Sequence, residues 1–426
     1  MRVAIAGGGP SGSALAILLA REGAEVTLFD DARRPELLVG ESLVPAAIPI
    51  LRRLGIEEET AAFSRVKPGV SFIWSPADRF GFTFARFAPA VFPYAYNIPR
   101  PRFDEAVLAR AVASGVHRVV ARARLTPATG TRVDLVLDAE TLAAAPHLDG
   151  RQPDLIVDAT GRARLSARAL GLGADVGPRD DVAHFAHFEG CRWDDAAGQV
   201  LIARQEAGWS WCIPLKDRLS VGIVIDRGDA TRLGRTPAER LERVIAADPW
   251  LASIVGGAER VTAVATYANY QLISERGAGL GWVMVGDAFG FVDPMLSPGV
   301  FLALRSAELV ALALAPFLRR RSIPSPEALL AALRPYTEVQ ARMLAAWMDL
   351  VSTFYDGRMP ALFRAGRDWM EAGAGVLKSA AQRHIERHIA LQASGAGTTR
   401  RYSRGLLRFM GRHALRGVAP AELAIH

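Results

Sequence analysis

The segment Val3-Ala4-Ile5-Ala6-Gly7-Gly8-Gly9-Pro10-Ser11-Gly12 decides the fold, together with Glu25-Val26-Thr27-Leu28-Phe29-Asp30, a second apolar run ending in an acid. An apolar run, a glycine turn, helical spacing from Ala14 to Arg21 and a second strand make a βαβ opening. Each glycine has a task in such a turn. Gly7 permits the tight bend, Gly9 leaves bare backbone for a pyrophosphate, and Gly12 lets the helix close on the strand. Free N–H groups at the helix start, around Ser11, face the phosphates. Asp30 is placed to accept hydrogen bonds from an adenosine ribose. A lone G-x-G-x-x-G is weak evidence, but strand, helix and terminal acid follow here in the required order.

Two later segments extend this dinucleotide site. Trp282-Val283-Met284-Val285-Gly286-Asp287-Ala288 reads as a strand ending in Gly286-Asp287 ahead of a helix, and Asp154 to Gly161 as a buried parallel strand with its own glycine edge. Such a set favours FAD over NAD, with Asp287 on the ribityl chain. A second complete G-x-G-x-x-G for a nicotinamide cofactor does not occur, so electrons are expected from a separate flavin reductase.

At 426 residues the chain exceeds the roughly 250–300 residues that one hydrophobic core supports. Alternation and aromatics between Val66 and Tyr96, and again from about Ala183 to Ile225, predict strands of a substrate-side sheet. The expected class is α/β, an FAD-binding Rossmann-like domain interleaved with a β-sheet substrate domain, plus a helical C-terminal region. FAD-binding parts are placed at 1–65, 101–182 and 276–315, the sheet domain at 66–100 and 183–275, and the helical region at 316–426. Pro324, Pro326 and Pro335 are expected to break that last region into pieces.

The composition is that of a globular protein, 50% apolar and 22% charged. Met1 and Arg2 run straight into the first strand, which predicts no secretory leader. Arg305 and Glu308 interrupt the apolar window Val300 to Phe317, making it a buried helix rather than a membrane span. Cys191 and Cys212 are too few for a disulfide framework or a metal site, and a cytoplasmic setting is expected. The net charge of +7 arises from the residues after Ala361, a basic tail suited either to solvent or to an acidic partner.

From Gly40 onward the chain resembles the flavin-dependent halogenases, in particular the pyrrole and phenol branch, within the FAD-dependent monooxygenase-like superfamily. The motifs that carry the resemblance are Gly40-Glu41-Ser42-Leu43-Val44-Pro45, Lys67-Pro68-Gly69-Val70-Ser71-Phe72-Ile73-Trp74, Arg100-Pro101-Arg102-Phe103-Asp104, Gly208-Trp209-Ser210-Trp211-Cys212-Ile213-Pro214 and Phe291-Val292-Asp293-Pro294-Met295-Leu296-Ser297-Pro298-Gly299. Phe354-Tyr355-Asp356-Gly357 is similar to a late family segment. The resemblance implies that Glu41, Ser42, Arg100, Gly286 and Pro294 lie beside FAD, which is used as FADH2 with oxygen and a halide ion, chloride or bromide, to make hypohalous acid. It implies that Lys67 holds that acid and directs it to an electron-rich aromatic. By the same resemblance, Trp209 and Trp211, on one face of a strand, would keep the flavin side dry, and Ser297 would belong to the halide turn.

One departure from the family pattern bears on function. The implied halide site is the turn of Pro298 and Gly299, yet Pro298 has no N–H. One missing charge-assisted hydrogen bond costs on the order of 1.5–3 kcal/mol, enough to weaken halide binding roughly tenfold to a hundredfold. Leu296 stands where tryptophan halogenases carry glutamate, which disfavours free tryptophan and favours a phenol or pyrrole, free or tethered to an acyl or peptidyl carrier protein. Glu36 stands where relatives more often have arginine, with no evident consequence. The rival reading is a non-halogenating FAD-dependent monooxygenase or reductase on the same scaffold, favoured by Pro298. A basic nucleic-acid-binding protein is not expected, because no aromatic platform interleaves the charges.

Overall fold

Strands Arg2–Ala6 and Glu25–Phe29 pair in parallel, Val3 against Val26 and Ile5 against Leu28, with helix Pro10–Arg21 crossing between them. In the computed structural model, residues 34, 76–77, 194–197, 372–375, 416–418 and 426 lie outside the described part of the chain, as do the side chains of 269–270 and 376–377. Leu155–Asp158 lies parallel on the other side of the first strand, and Trp282–Met284 lies parallel beyond it. His117–Val119 and Ala278–Gly279 close the two edges of this six-stranded sheet. Both faces of the central strands are covered, which is why they read as unbroken apolar runs rather than as alternation. The segment expected to return to the first sheet does so at Leu155–Asp158.

The second sheet runs in the order Arg79–Thr83, Gly69–Ile73, Val200–Arg204, Trp209–Pro214, Leu219–Asp226, Ala174–Glu189, Ala265–Ser274 and Gly290–Phe291. Its period of two sorts side chains between two cores. Phe72, Ala183, Phe185, Ile202, Trp209, Trp211 and Ile213 join the main core shared with the cofactor sheet. Val182, Ala186, Leu201, Cys212, Val221 and Ile223 face the other way, onto Leu241, Val244 and Leu251 of helices Pro237–Ala247 and Pro249–Val255. A one-residue slip would exchange these sets, so burial on both sides fixes the register. The Ala174–Glu189 strand is continuous across 182/183, and helix Gly299–Arg319 across 315/316.

The C-terminal region is helical, at Pro326–Tyr355, Arg358–Glu371, Val376–Ala393 and Arg401–His413. The expectation that Pro335 breaks a helix is wrong. Pro326 occupies the first helical turn with Ser325 capping it, but Pro335 sits inside a 30-residue helix that continues to Tyr355. The proline removes one backbone donor, yet the buried stripe of Leu333, Tyr336, Gln340, Leu344 and Trp347 holds the helix together by packing. Among the described residues one helix, Gly299–Arg319, is long and apolar enough to cross a membrane; 67% of its most apolar window is buried inside the protein. Its Glu308, 3% exposed, receives hydrogen bonds from Arg53 and Arg305. Both cysteines are free.

Candidate active site

A cavity of about 680 Å³ lies between the two sheets. Gly7, Gly9, Ser11 and Asp30 line one end, Glu41, Ser42, Arg100 and Asp287 follow, and Pro294, Ser297, Gly299, Trp209 and Trp211 line it as well. The glycines divide as their expected tasks require. Gly7 has φ +110°, and a Cβ there would lie 2.4 Å from the Ala159 carbonyl oxygen; at Gly12 a Cβ would lie 2.0 Å from the Gly7 oxygen. Those two are demanded by the protein itself. Gly9 and Gly299 face open space, with nothing within 4 Å of a Cβ, which is room for a ligand to reach backbone. Gly12, Gly286 and Pro298 support the cavity without lining it, and Gly286, at φ +60°, donates its N–H to Ser306 Oγ at 2.9 Å.

Charges at the cavity are held in place. Arg118 donates to Asp30 Oδ2 at 2.8 Å. Arg100 donates to both Asp104 carboxylate oxygens, at 3.1 and 3.2 Å, and to the Val39 carbonyl. Burial pushes Asp287 up to about 6, against the opposing pull of Arg100 and Arg162. Glu41 Oε1 is 2.8 Å from His187 Nε2, both side chains being buried. His187 was not expected from the sequence, since it lies on Ala174–Glu189, far from any motif.

Lys67 does not line this cavity. Strand Arg65–Lys67 pairs with Ala95–Asn97, whose other neighbour is the Glu41-Ser42-Leu43 loop through Ser42 opposite Asn97. The amine therefore ends beside that loop, donating to Ser42 Oγ at 2.8 Å and to the Leu43 carbonyl at 3.1 Å, with the Phe84 ring 5.7 Å away. Around it is a space of only about 20 Å³, walled by Val44, Val70, Phe82, Phe84, Leu296 and Ala393. Burial without a carboxylate partner brings the amine down to about 7. Val200, Ile202, Met295 and Ser297 line both this chamber and the large cavity, so a single layer of side chains separates them.

The tryptophan wall is anchored from the far end of the chain. Trp209 and Trp211 have ring centroids 5.8 Å apart. Trp209 Nε1 donates to Tyr355 Oη at 2.8 Å, and Tyr355 donates to Asp293 Oδ2 at 2.8 Å. Asp293 Oδ1 in turn accepts from Met295 N at 2.9 Å, capping the turn that leads to Ser297, which is left-handed at φ +57°. Trp211 lies over Gly222, where a Cβ would come within 2.2 Å of the ring. Asp293 before Pro294 is a readable turn signal. Nothing local marks Tyr355 or Gly222 as partners of the tryptophans.

The sequence profile described as tryptophan halogenase matches residues 2–91 and 87–359. The chain belongs to this family. A tryptophan 2-halogenase of Chondromyces crocatus is 32% identical over 83% of this chain and 68% of its own length. A 1H-pyrrole-2-carbonyl-[peptidyl-carrier protein] brominase of Pseudoalteromonas luteoviolacea is 28% identical over 71% of this chain and 74% of its own. Among solved structures, the myxobacterial chondrochloren halogenase superposes with a TM-score of 0.72 at 26% identity, covering 99% of this chain and 98% of that one. The halogenase is thus an FAD-dependent oxidoreductase, and FAD and halide are what its chemistry uses.

Proposed function

We propose that the halogenase acts on an electron-rich aromatic, a phenol or a pyrrole, with Lys67 as the residue that delivers the halogen. Reduced FAD, when bound, supplies the chemistry that turns oxygen, halide and a proton into hypohalous acid and water, the halide losing two electrons. The protein's residues do the rest. Gly7, Gly9 and Ser11 would meet the phosphates, with Gly12 closing the helix onto their turn, and Asp287 would hold the ribityl chain. Ser297 and Gly299 receive the halide, the first N–H groups of helix Gly299–Arg319 having no intrahelical acceptor. Trp209 and Trp211 exclude the organic substrate and bulk water from the flavin side.

One observation carries this reading: an amine brought down to about 7 by burial, one side-chain layer from the cofactor cavity. Near neutral pH it is present in both forms. As ammonium it donates a hydrogen bond to the oxygen of hypohalous acid and makes the halogen more electrophilic; as amine it offers a lone pair. Ser42 and Leu43 take two of its hydrogens, leaving one position for a molecule in the chamber. The aromatic carbon then takes the halogen and loses its proton, and water leaves.

Leu296 makes the chamber wall apolar, which suits a neutral ring better than the charged backbone of free tryptophan. Carrier-tethered pyrroles are the named substrates of relatives at 28% and 27% identity, which supports a tethered substrate here. A separate flavin reductase and a cytoplasmic setting complete the proposal. Pro298 alone favours the rival, a non-halogenating FAD-dependent monooxygenase or reductase. Lys67→Ala decides the role of the amine: halogenated product should fall roughly a hundredfold or more while FAD binding and reduced-flavin oxidation persist. Unchanged product formation would remove Lys67 from the mechanism.

A further inference from the structure

A second cleft, of about 450 Å³, lies where the edge strand Arg79–Thr83 meets helices Arg358–Glu371 and Val376–Ala393. Arg79, Arg86, Arg364, Arg367 and Arg383 line it, against the carboxylates of Asp78 and Glu386. The charges are arranged rather than scattered. Asp78, with an 8% exposed side chain, accepts from Arg364 Nε at 3.1 Å, from Arg364 Nη2 and from Arg367 Nη2 at 3.1 Å, which ties two guanidinium groups to one carboxylate. Arg86 pairs with Glu386 at 2.7 Å. The side chains of Arg79 and Arg383 make no hydrogen bond or ion pair among the described residues. The floor is apolar, Phe80 stacked on Phe363 at 4.3 Å.

The cleft has a fixed relation to Lys67. Val70 and Phe82, directly paired, wall the Lys67 chamber, and Phe80, on the same face two residues along, floors the cleft. At the usual rise of a strand, Phe80 is about 7 Å from Phe82. Helix Val376–Ala393 repeats the measurement. Ala393 walls the chamber and Gln382 lines the cleft, about 16 Å apart along a helix. Phe84 of the chamber wall and the Arg86–Glu386 pair of the cleft follow one another in the same short turn, Phe84–Phe87.

We propose that the arginine cleft is a phosphate subsite for an aromatic substrate borne on an extended phosphorylated arm, a pantetheine thioester, whose ring reaches the Lys67 chamber. Guanidinium forks bind phosphate bidentately, and the stacked rings receive the arm's apolar chain beside the strand and helix that run from the cleft to the chamber. That the ring lies at the far end rests on Lys67 as the halogenating residue.

The probe is 4′-phosphopantetheine, titrated calorimetrically into the full-length protein saturated with FAD, so that the dinucleotide phosphate site is filled. Saturable binding is expected, weakened roughly tenfold or more in the double variant Arg79→Gln, Arg383→Gln. Both side chains are exposed and unpaired, and unchanged flavin absorbance reports an intact fold. Arg79→Lys with Arg383→Lys, which retains the charge, should keep most of the affinity. No saturable binding to the wild type, or equal binding to wild type and the glutamine variant, would overturn the subsite. Carrying the same arm on a carrier protein separates its sources: tighter binding of the carrier-borne form assigns the carrier, and equal binding assigns a free thioester, the glutamine variant weakening both. Because the titration needs neither oxygen nor halide, its failure would leave the halogenase reading intact, and the reverse also holds.

Discussion

On one side of the partition formed by Val200, Ile202, Met295 and Ser297 lies a cavity of about 680 Å³ whose largely apolar wall carries glycines, acids and arginines. On the other lies one of about 20 Å³, aliphatic and aromatic around a single amine. The first is preformed space with bare backbone turned toward it, suited to a large, charged cofactor. The second is nearly filled, suited to holding one reactive group in an unusual protonation state. The contrast fits the two jobs proposed for them, oxidant made where there is room for the cofactor and delivered where a single amine is enclosed. An aromatic substrate does not fit in about 20 Å³, so the Phe82, Phe84 and Ala393 wall must yield when it binds.

The largest effect is expected from attacking the first cavity at its root. Gly12→Val places side-chain carbon 2.0 Å from the Gly7 oxygen, so the purified protein should carry no FAD by absorbance. Gly9→Ala, with no neighbour to strike, should instead keep the fold and only weaken FAD. Next comes the Tyr355 link between the Trp209 wall and the Asp293 turn. Tyr355→Phe removes one hydrogen bond from each of two buried partners, Trp209 and Asp293, an expected loss of about 2–4 kcal/mol in denaturant unfolding, with more reduced flavin consumed per product. Pro298→Ala restores an N–H at the halide turn, and halide affinity, read from the halide dependence of product formation, should rise roughly tenfold.

The smallest effect sharpens the second cavity. Folding lowers the Lys67 value from the ordinary lysine range to about 7, so the unfolded chain binds more protons between those limits. The penalty for burying the amine is therefore full below about pH 7 and relieved as pH rises toward 10.5. Lys67→Met should raise stability by on the order of 1 kcal/mol at pH 6, with the gain shrinking at pH 9. A gain that grows with pH would show that the amine is not desolvated.

What was legible in the sequence followed the range of the interactions. The Gly7 to Gly12 turn, its strands and Asp30 lie within one local unit, and motif spacing located all of them. Trp209 and Trp211 were readable as neighbours on one face because a strand has a period of two. Lys67, by contrast, owes its environment to Ser42, Phe84 and Leu296, segments that meet only in the folded chain, and only family resemblance singled it out. Tyr355 and His187 reach their partners across 146 residues each, which no local pattern encodes. Pro335 misled because a strong local rule met a long packed face and lost.

In the proposed mechanism, oxidant made beside the tryptophans is spent through Lys67 on an aromatic ring. Supplying reduced FAD, oxygen and chloride or bromide with free and carrier-bound phenols and pyrroles, followed by mass spectrometry, tests it most directly. The account predicts a product heavier by one halogen replacing one hydrogen, formed by the wild type and lost in Lys67→Ala. Turnover of FAD with neither halogenated product nor free hypohalous acid, for either halide, would contradict it.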